Sequence, residues 1–247
     1  SDVPAILKHT RNVYYIGNME LGRVQKGKIT FYNLDGDEIE KELVEIKWDA
    51  EAAEKAGFEH FMIKEIHEEP KAVQDTLNSV IHEGRIDLTE IGLDEDTIRS
   101  VSQLYLIACG SAYHAAVSAQ YAIEDLAKIP VRVELASEFR YREMPLDERG
   151  LAVIISQSGE TADSLAALRK AKNSGIRTLA VVNVVGSSIA RESDNVFYTL
   201  AGPEIAVATT KAYSTQLIAC DILAVQFAMA RGEIDEAQYA KLIEELL

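Results

Sequence analysis

The chain has 247 residues, 47% of them hydrophobic and 26% charged. That is enough apolar content for one large domain, or one domain with a piece of another, and the balance excludes general disorder. The formal net charge is −15, from 40 acidic against 25 basic residues. This lacks the basic footprint of a nucleic-acid binder, and an anionic ligand must be held by local dipoles and hydroxyls against an unfavourable overall field.

Residues 1 to about 47 read as β-rich. Val13 to Ile16 is a short β-prone run, and Lys28 to Leu34 alternates Ile29 and Phe31 with polar neighbours. Asp35-Gly36 is a hairpin signal, followed by a second run from Glu38 to Ile46. Three or four strands cannot enclose a core alone, so this part is an appendage or the tail of another domain. Residues 48–70 read as a connector ending in Glu68-Glu69-Pro70. The start, Ser1-Asp2-Val3-Pro4, has no initiator Met and no signal-peptide pattern, as expected of a chain processed, truncated or excised from something longer. No apolar stretch is expected to reach membrane-spanning length. Cys109 and Cys220 lie far apart in apolar contexts, a pattern of neither disulfide nor metal site. Reduced thiols in a cytoplasmic protein are the simplest account, and no cofactor or metal is expected.

From Lys71 onward, helical and strand patterns alternate. Val73, Leu77, Val80 and Ile81 mark a helix over Lys71 to His82, and another begins near Asp94. Strands are expected at Gln103 to Ala108, Val131 to Leu135, Leu151 to Ile155, Thr178 to Val182 and Val196 to Leu200. Helices are expected at Ala112 to Ala127, Ser137 to Arg142, Ala162 to Lys172, Thr210 to Ala230 and Asp235 to Leu247. Nearly all-apolar strands alternating with helices predict an α/β fold with a parallel sheet covered on both faces. Ligands of such sheets bind at strand carboxyl ends near a topological switch.

Four loops fall at such ends. The most informative is Ser156-Gln157-Ser158-Gly159-Glu160-Thr161, which joins an apolar strand to a helix. Such a junction offers unpaired backbone N–H groups and the positive end of a helix dipole, and hydroxyls beside them suit a phosphate. The same residues also suit an ordinary N-cap and turn. Cys109-Gly110-Ser111-Ala112 reads as a tight βα turn or a second ligand loop, and Asn183 to Ser188 as a plain glycine-serine loop. In Glu204 to Lys211, Thr209 and Thr210 are candidate helix caps, and Lys211 is either an anion ligand or a solvated cation. Together these loops predict one rim carrying Ser111, Ser156, Ser158, Thr161 and Thr209.

Ile107 to Ala115 (IACGSAYHA) resembles the first glycine loop of sugar isomerase (SIS) domains, and Ser156 to Asp163 (SQSGETAD) resembles their phosphate loop. More narrowly, Glu134 to Arg142 (ELASEFRYR), Glu204 to Thr215 (EIAVATTKAYST) and the Phe61 to Ile66 run (FMIKEI) before Pro70 are similar to the glutamine–fructose-6-phosphate aminotransferase family. The resemblance implies an SIS-type doubly wound three-layer α-β-α sandwich with a five-stranded parallel sheet. It implies that 1–47 is the closing part of a glutaminase (Ntn-type) domain, 48–70 an interdomain linker and 71–247 the first SIS domain. It further implies a sugar-phosphate ligand, fructose-6-phosphate or glucosamine-6-phosphate, and a homodimer formed through SIS domains, with no nucleic-acid or membrane partner.

The family pattern carries over to Ser156, Gln157, Ser158 and Thr161 as phosphate contacts, with Gly159 between them. Ser111 matches the hydroxyl residue after Cys109-Gly110, where the family often has Thr. Ala112 departs from a frequent Ser, which puts one hydroxyl contact in doubt. Val207 and Thr209 match positions that line the sugar. Glu69 replaces a frequent Gln, and Glu160 is expected to stabilise the dipole of the following helix. Neither cysteine matches the glutaminase nucleophile, and Lys211 is not the family's imine lysine. No catalytic residue is therefore expected in this chain, which should bind but not catalyse. Two other classes compete: a stand-alone SIS-type isomerase or deglycase, which would lack a β-rich start and linker, and a non-enzymatic sugar-phosphate sensor, which would bring a helical DNA-binding head.

Overall fold

The computed structural model describes residues 9–46 and 55–247. Ser1 to Pro4 and residues 48–54 of the expected connector lie outside the described residues. The chain divides into two compact units, Ser1–Ala56 and Gly57–Leu247.

In the first unit, β1 (Asn12–Val13) pairs antiparallel with β5 (Val44–Glu45), while β2 (Glu20–Gln25), β3 (Lys28–Asn33) and β4 (Glu38–Ile39) form a meander. Strand β2 is absent from the sequence reading, because Gly22 interrupts it and Leu21 and Val24 do not alternate. It is paired from outside, through six registered positions with β3. The expected run from Glu38 to Ile46 splits into β4 and β5, which belong to different sheets. Hydrophobic burial is slight, with Phe31 and Ile46 the buried apolar side chains among the described residues.

The second unit opens with α1 (Phe61–Asn78), which starts ten residues before the expected helix and carries Pro70 inside it. Tertiary contacts override the proline's missing donor. Glu65 is 1% exposed, and its Oε1 accepts from the Ile205 and Ala206 N–H groups at 2.6 and 3.0 Å. The Thr76 hydroxyl donates to the Thr199 carbonyl. The helix ends early too, because Glu83 and Gly84 take positive φ of 51° and 75° and turn a hairpin between β6 (Ile81–His82) and β7 (Arg85–Ile86). Then α2 (Glu95–Ser100) begins where the Asp94 carboxylate accepts the Thr97 N–H at 2.7 Å.

The remaining elements follow the expected alternation: β8 (Leu104–Ala108), α3 (Ser111–Ala127), β9 (Val131–Leu135), α4 (Ala136–Phe139), β10 (Leu151–Ser156), α5 (Ala162–Asn173), β11 (Arg177–Val182), α6 (Ser188–Glu192), β12 (Asn195–Tyr198), α7 (Lys211–Arg231) and α8 (Glu236–Leu246). Helix α6 is an addition: five residues in the stretch read as a loop. All strand pairs of the five-stranded sheet are parallel, in the order β12-β11-β10-β8-β9. Alternate residues of β8 and β10 serve opposite cores, as strand geometry requires. Leu104, Leu106, Val153 and Ile155 join the side formed with α3, α7 and α8. Tyr105, Ile107, Ala152 and Ile154 join the side formed with α4, α5 and α6. The result is the expected three-layer α-β-α sandwich.

Helix α7 corrects one expectation. Its 21 residues are long and apolar enough to cross a membrane by length and composition. They are nonetheless a core element: 67% of that stretch is buried inside the protein, including Ala219, Cys220, Ile222, Leu223 and Phe227. Burial pushes the Cys220 thiol up to about 12, with the Asp221 carboxylate adding to the shift.

Candidate functional site

Strand order fixes where a crevice opens. From β8 the chain crosses to β9 on one side, and β10 lies on the other, so the loops leaving β8 and β10 diverge at the switch point. A cavity of about 280 Å³ lies there. The β8–α3 loop gives it Cys109, Ser111 and Ala112; the β10–α5 loop gives Ser156, Gln157, Ser158 and Thr161; the segment before α7 gives Glu204, Val207 and Thr209. The expected rim is thus one place. Gly110 and Gly159 do not line it. They shape its loops instead, Gly110 as the N-cap of α3 with φ 59° and ψ −136°, and Gly159 with φ 65°. The Asn183 to Ser188 loop does not line the cavity either.

Three long helices begin at this cavity: α3 at Ser111, α5 after its N-cap Thr161, and α7 after its N-cap Thr210. Their N-terminal dipole ends favour an anion. Thr161 makes no side-chain cap bond, so its hydroxyl is not used by the helix it starts. The two loop serines are used in part. Ser156 Oγ accepts from the Gly159 N–H at 3.1 Å, and Ser158 Oγ accepts from the Glu160 N–H at 3.2 Å. Two of the N–H groups expected to be unpaired are therefore taken by the loop itself. What remains on each serine is the O–H, a donor with no protein acceptor among the described residues.

Three expectations for charged or capping residues are corrected. Glu160 does not serve the helix that follows it; its Oε1 accepts the Ser188 N–H at 2.7 Å, at the start of α6. Thr210 holds the N-cap position of α7, but neither its side chain nor that of Thr209 makes a cap bond. The Glu204 carboxylate does, with Oε1 accepting from the Thr210 and Ala212 N–H groups at 2.8 and 3.2 Å and from the Thr209 hydroxyl at 3.2 Å. Lys211 is neither solvated nor an anion ligand. It is 3% exposed and its Nζ lies 2.7 Å from Glu68, which Lys64 also approaches at 3.2 Å. Burial opposes ionisation of Glu68, but Lys211 and Lys64 outweigh it and hold the carboxyl below its usual value.

The segment that carries Val207 and Thr209 is therefore held from two directions, by Glu204 across the start of α7 and by Glu65 from α1. Val207 itself is fully exposed at the rim. The Asn183 to Ser188 loop supports the other side: the Asn183 N–H donates to the Gln157 carbonyl at 3.2 Å, and the Ile189 N–H to the Gly159 carbonyl at 3.0 Å. Ser164 and Gln216 also line the cavity, and the sequence reading missed both. Each sits inside a helix rather than on a loop, where polarity against an otherwise apolar stripe was the only available signal.

Among the described residues, Glu204 is the one charged side chain on the cavity wall. With no cation there, an anion must be held by hydroxyls and helix dipoles. Among the described residues, no group of three or more His, Cys, Asp or Glu side chains could hold a metal ion.

The sequence model of the SIS domain family matches residues 97–226, which span all five parallel strands and every loop of the cavity. Among curated proteins, the chain is 51% identical over 247 residues to a glutamine–fructose-6-phosphate aminotransferase (isomerizing) of Caldanaerobacter subterraneus subsp. tengcongensis. It is 52% identical over 248 residues to that of Clostridium acetobutylicum. Both alignments cover 100% of this chain and 41% of the relative, so the chain spans about two-fifths of their length. Among solved structures, the C-terminal domain of glucosamine-fructose-6-phosphate aminotransferase from Francisella tularensis superposes with a TM-score of 0.75 at 42% identity. That match covers 78% of this chain and 55% of the other. The family match, the strand order and the loop positions agree, and the chain belongs to the SIS domain family.

Proposed function

We propose that this chain is the phosphosugar-binding part of the isomerase half of a glutamine–fructose-6-phosphate aminotransferase. The complete enzyme would convert fructose-6-phosphate and glutamine to glucosamine-6-phosphate and glutamate. The observation that carries the reading is the convergence of Ser111, Ser156, Ser158 and Thr161 with the N-termini of α3 and α5 on one cavity without a cation. Such a wall suits a phosphate, and the names of the curated relatives point to fructose-6-phosphate. In this reading the serine and threonine hydroxyls donate to phosphate oxygens, Gln157 adds its amide, and Val207 and Thr209 flank the sugar. Residues 1–47 are then the end of a glutaminase domain, 48–70 the linker and 71–247 the first SIS domain. Assembly as a homodimer through SIS domains, in the cytoplasm, belongs to the same reading.

The grip is remote from the reacting carbons, so its role is to orient C1 and C2 toward groups supplied elsewhere in the whole enzyme. Among the described residues, the cavity wall has no lysine or histidine. Glu204 is committed to the α7 N-terminus, and Lys211 to Glu68. The chain alone therefore binds without catalysing. Incubation with fructose-6-phosphate and ammonia should give no glucosamine-6-phosphate, and measurable product would overturn this assignment.

A further inference from the structure

Two polar side chains in the cavity are unexplained by the phosphate grip. Ser164, in the first turn of α5, is 1% exposed, and its Oγ is buried with no hydrogen-bond partner. Gln216, in the second turn of α7, is 3% exposed and lines the same cavity. Among the described residues its amide makes no hydrogen bond. A buried polar group left unpaired carries a desolvation penalty, and native proteins rarely leave one without a reason. Here Ser164 Oγ is such a group, and the Gln216 amide meets the same cavity from the opposite face of the sheet, since α5 packs on one side and α7 on the other.

The chemistry of the amide narrows the ligand group. Glutamine presents both a donor and an acceptor. A phosphate dianion presents acceptors only: the half-buried Gln157 can give it an N–H and leave its amide oxygen to water, whereas the buried Gln216 would be left with an oxygen that gains nothing. A neutral hydroxyl both donates and accepts, so it can serve either the oxygen or the N–H side of the amide. The phosphate-type donors, Ser156, Ser158 and Thr161, already lie together on the β10–α5 loop, while Gln216 approaches from α7.

We propose that Gln216, with Ser164 beside the same cavity, is a specificity residue that takes a hydroxyl of the sugar part of the ligand rather than its phosphate. This rests on the phosphosugar reading above and adds to it the residue that separates a sugar phosphate from phosphate alone. A site that hydrogen-bonds a ligand hydroxyl discriminates against analogues lacking it, because its own buried polar groups are then left unpaired.

The test is calorimetric titration of the 247-residue chain and of Gln216→Met and Ser158→Ala with fructose-6-phosphate and with inorganic phosphate. Gln216→Met should weaken fructose-6-phosphate about five- to tenfold, the worth of one net hydrogen bond, and leave inorganic phosphate unchanged. Ser158→Ala should weaken both ligands. Thermal unfolding of ligand-free Gln216→Met should match or exceed the parent, because the amide has no protein partner to lose. Unchanged fructose-6-phosphate binding in Gln216→Met, an equal loss for both ligands, or a lowered unfolding temperature without ligand would each overturn the proposal. If the parent chain binds neither ligand, the phosphosugar reading fails and this inference with it.

Discussion

At the residue scale, the phosphate-type loop depends on one backbone position. Gly159 has φ 65°, and a Cβ there would lie 2.1 Å from Ser187 Oγ and 2.5 Å from Ser187 Cβ. Gly159→Ala therefore combines left-handed strain with a clash against a buried side chain. We expect a loss of about 1–3 kcal/mol, read as a lower thermal midpoint together with weaker ligand binding. An unchanged midpoint would show that the Asn183 to Ser188 loop yields freely. The same site shows what single residues reveal in sequence. Ser156, Ser158 and Thr161 were legible because their chemistry is local: hydroxyls at a strand-to-helix junction. Glu160, Glu204 and Lys211 were not. Their partners lie 28, 6 to 8 and 143 positions away in the chain, and only the second separation is short enough for a local pattern to suggest it.

At the element scale, α1 is the least legible part of the unit and the most consequential for the site. Pro70 marked a boundary by the usual rule, yet the helix runs through it because Glu65 and Glu68 make bonds to the segment before α7 and to Lys211. Removing the Glu65 carboxylate would leave the Ile205 and Ala206 N–H groups without their acceptor. Glu65→Ala should destabilise by about 1–3 kcal/mol and speed hydrogen exchange at those two amides. If exchange there is unchanged, α1 does not hold the loop. Glu68 gives a pH prediction. Its carboxyl titrates below the usual value in the folded chain, so between the folded and unfolded values the unfolded chain binds more protons and stability rises with pH. The contribution is complete above the ordinary glutamate range and is lost as pH falls through the lowered value. Glu68→Gln should remove that acid-side slope. It should also lower stability at neutral pH, by less than the ~3–5 kcal/mol of a fully buried pair, because the Glu68 side chain keeps 32% of its surface. An unchanged acid-side slope in Glu68→Gln would contradict this. Strand β2 and helix α6 were hidden for a different reason: one is interrupted by glycine, and the other is too short to show a period.

For the molecule as a whole, the sheet was the easiest feature to read. Five apolar runs, each followed by a helix signature, already imply a parallel sheet covered on both faces, and the observed order β12-β11-β10-β8-β9 supplies the switch point. Helix α7 departs from the expectation that no apolar stretch reaches membrane-spanning length, since this core helix has those dimensions. All cavity residues belong to the unit Gly57–Leu247. A chain restricted to residues 57–247 should therefore unfold cooperatively and keep the ligand affinity of the longer one; loss of affinity in a folded 57–247 would mean that the β-rich unit contributes to the site.

The measurement that bears most directly on the central claim is titration of the chain with fructose-6-phosphate beside unphosphorylated fructose. A cavity walled by hydroxyls and helix N-termini should bind the phosphorylated sugar and ignore the free one at the same concentration. Equal binding of both sugars, or binding of neither by a folded chain, would contradict the assignment of this cavity to a sugar phosphate.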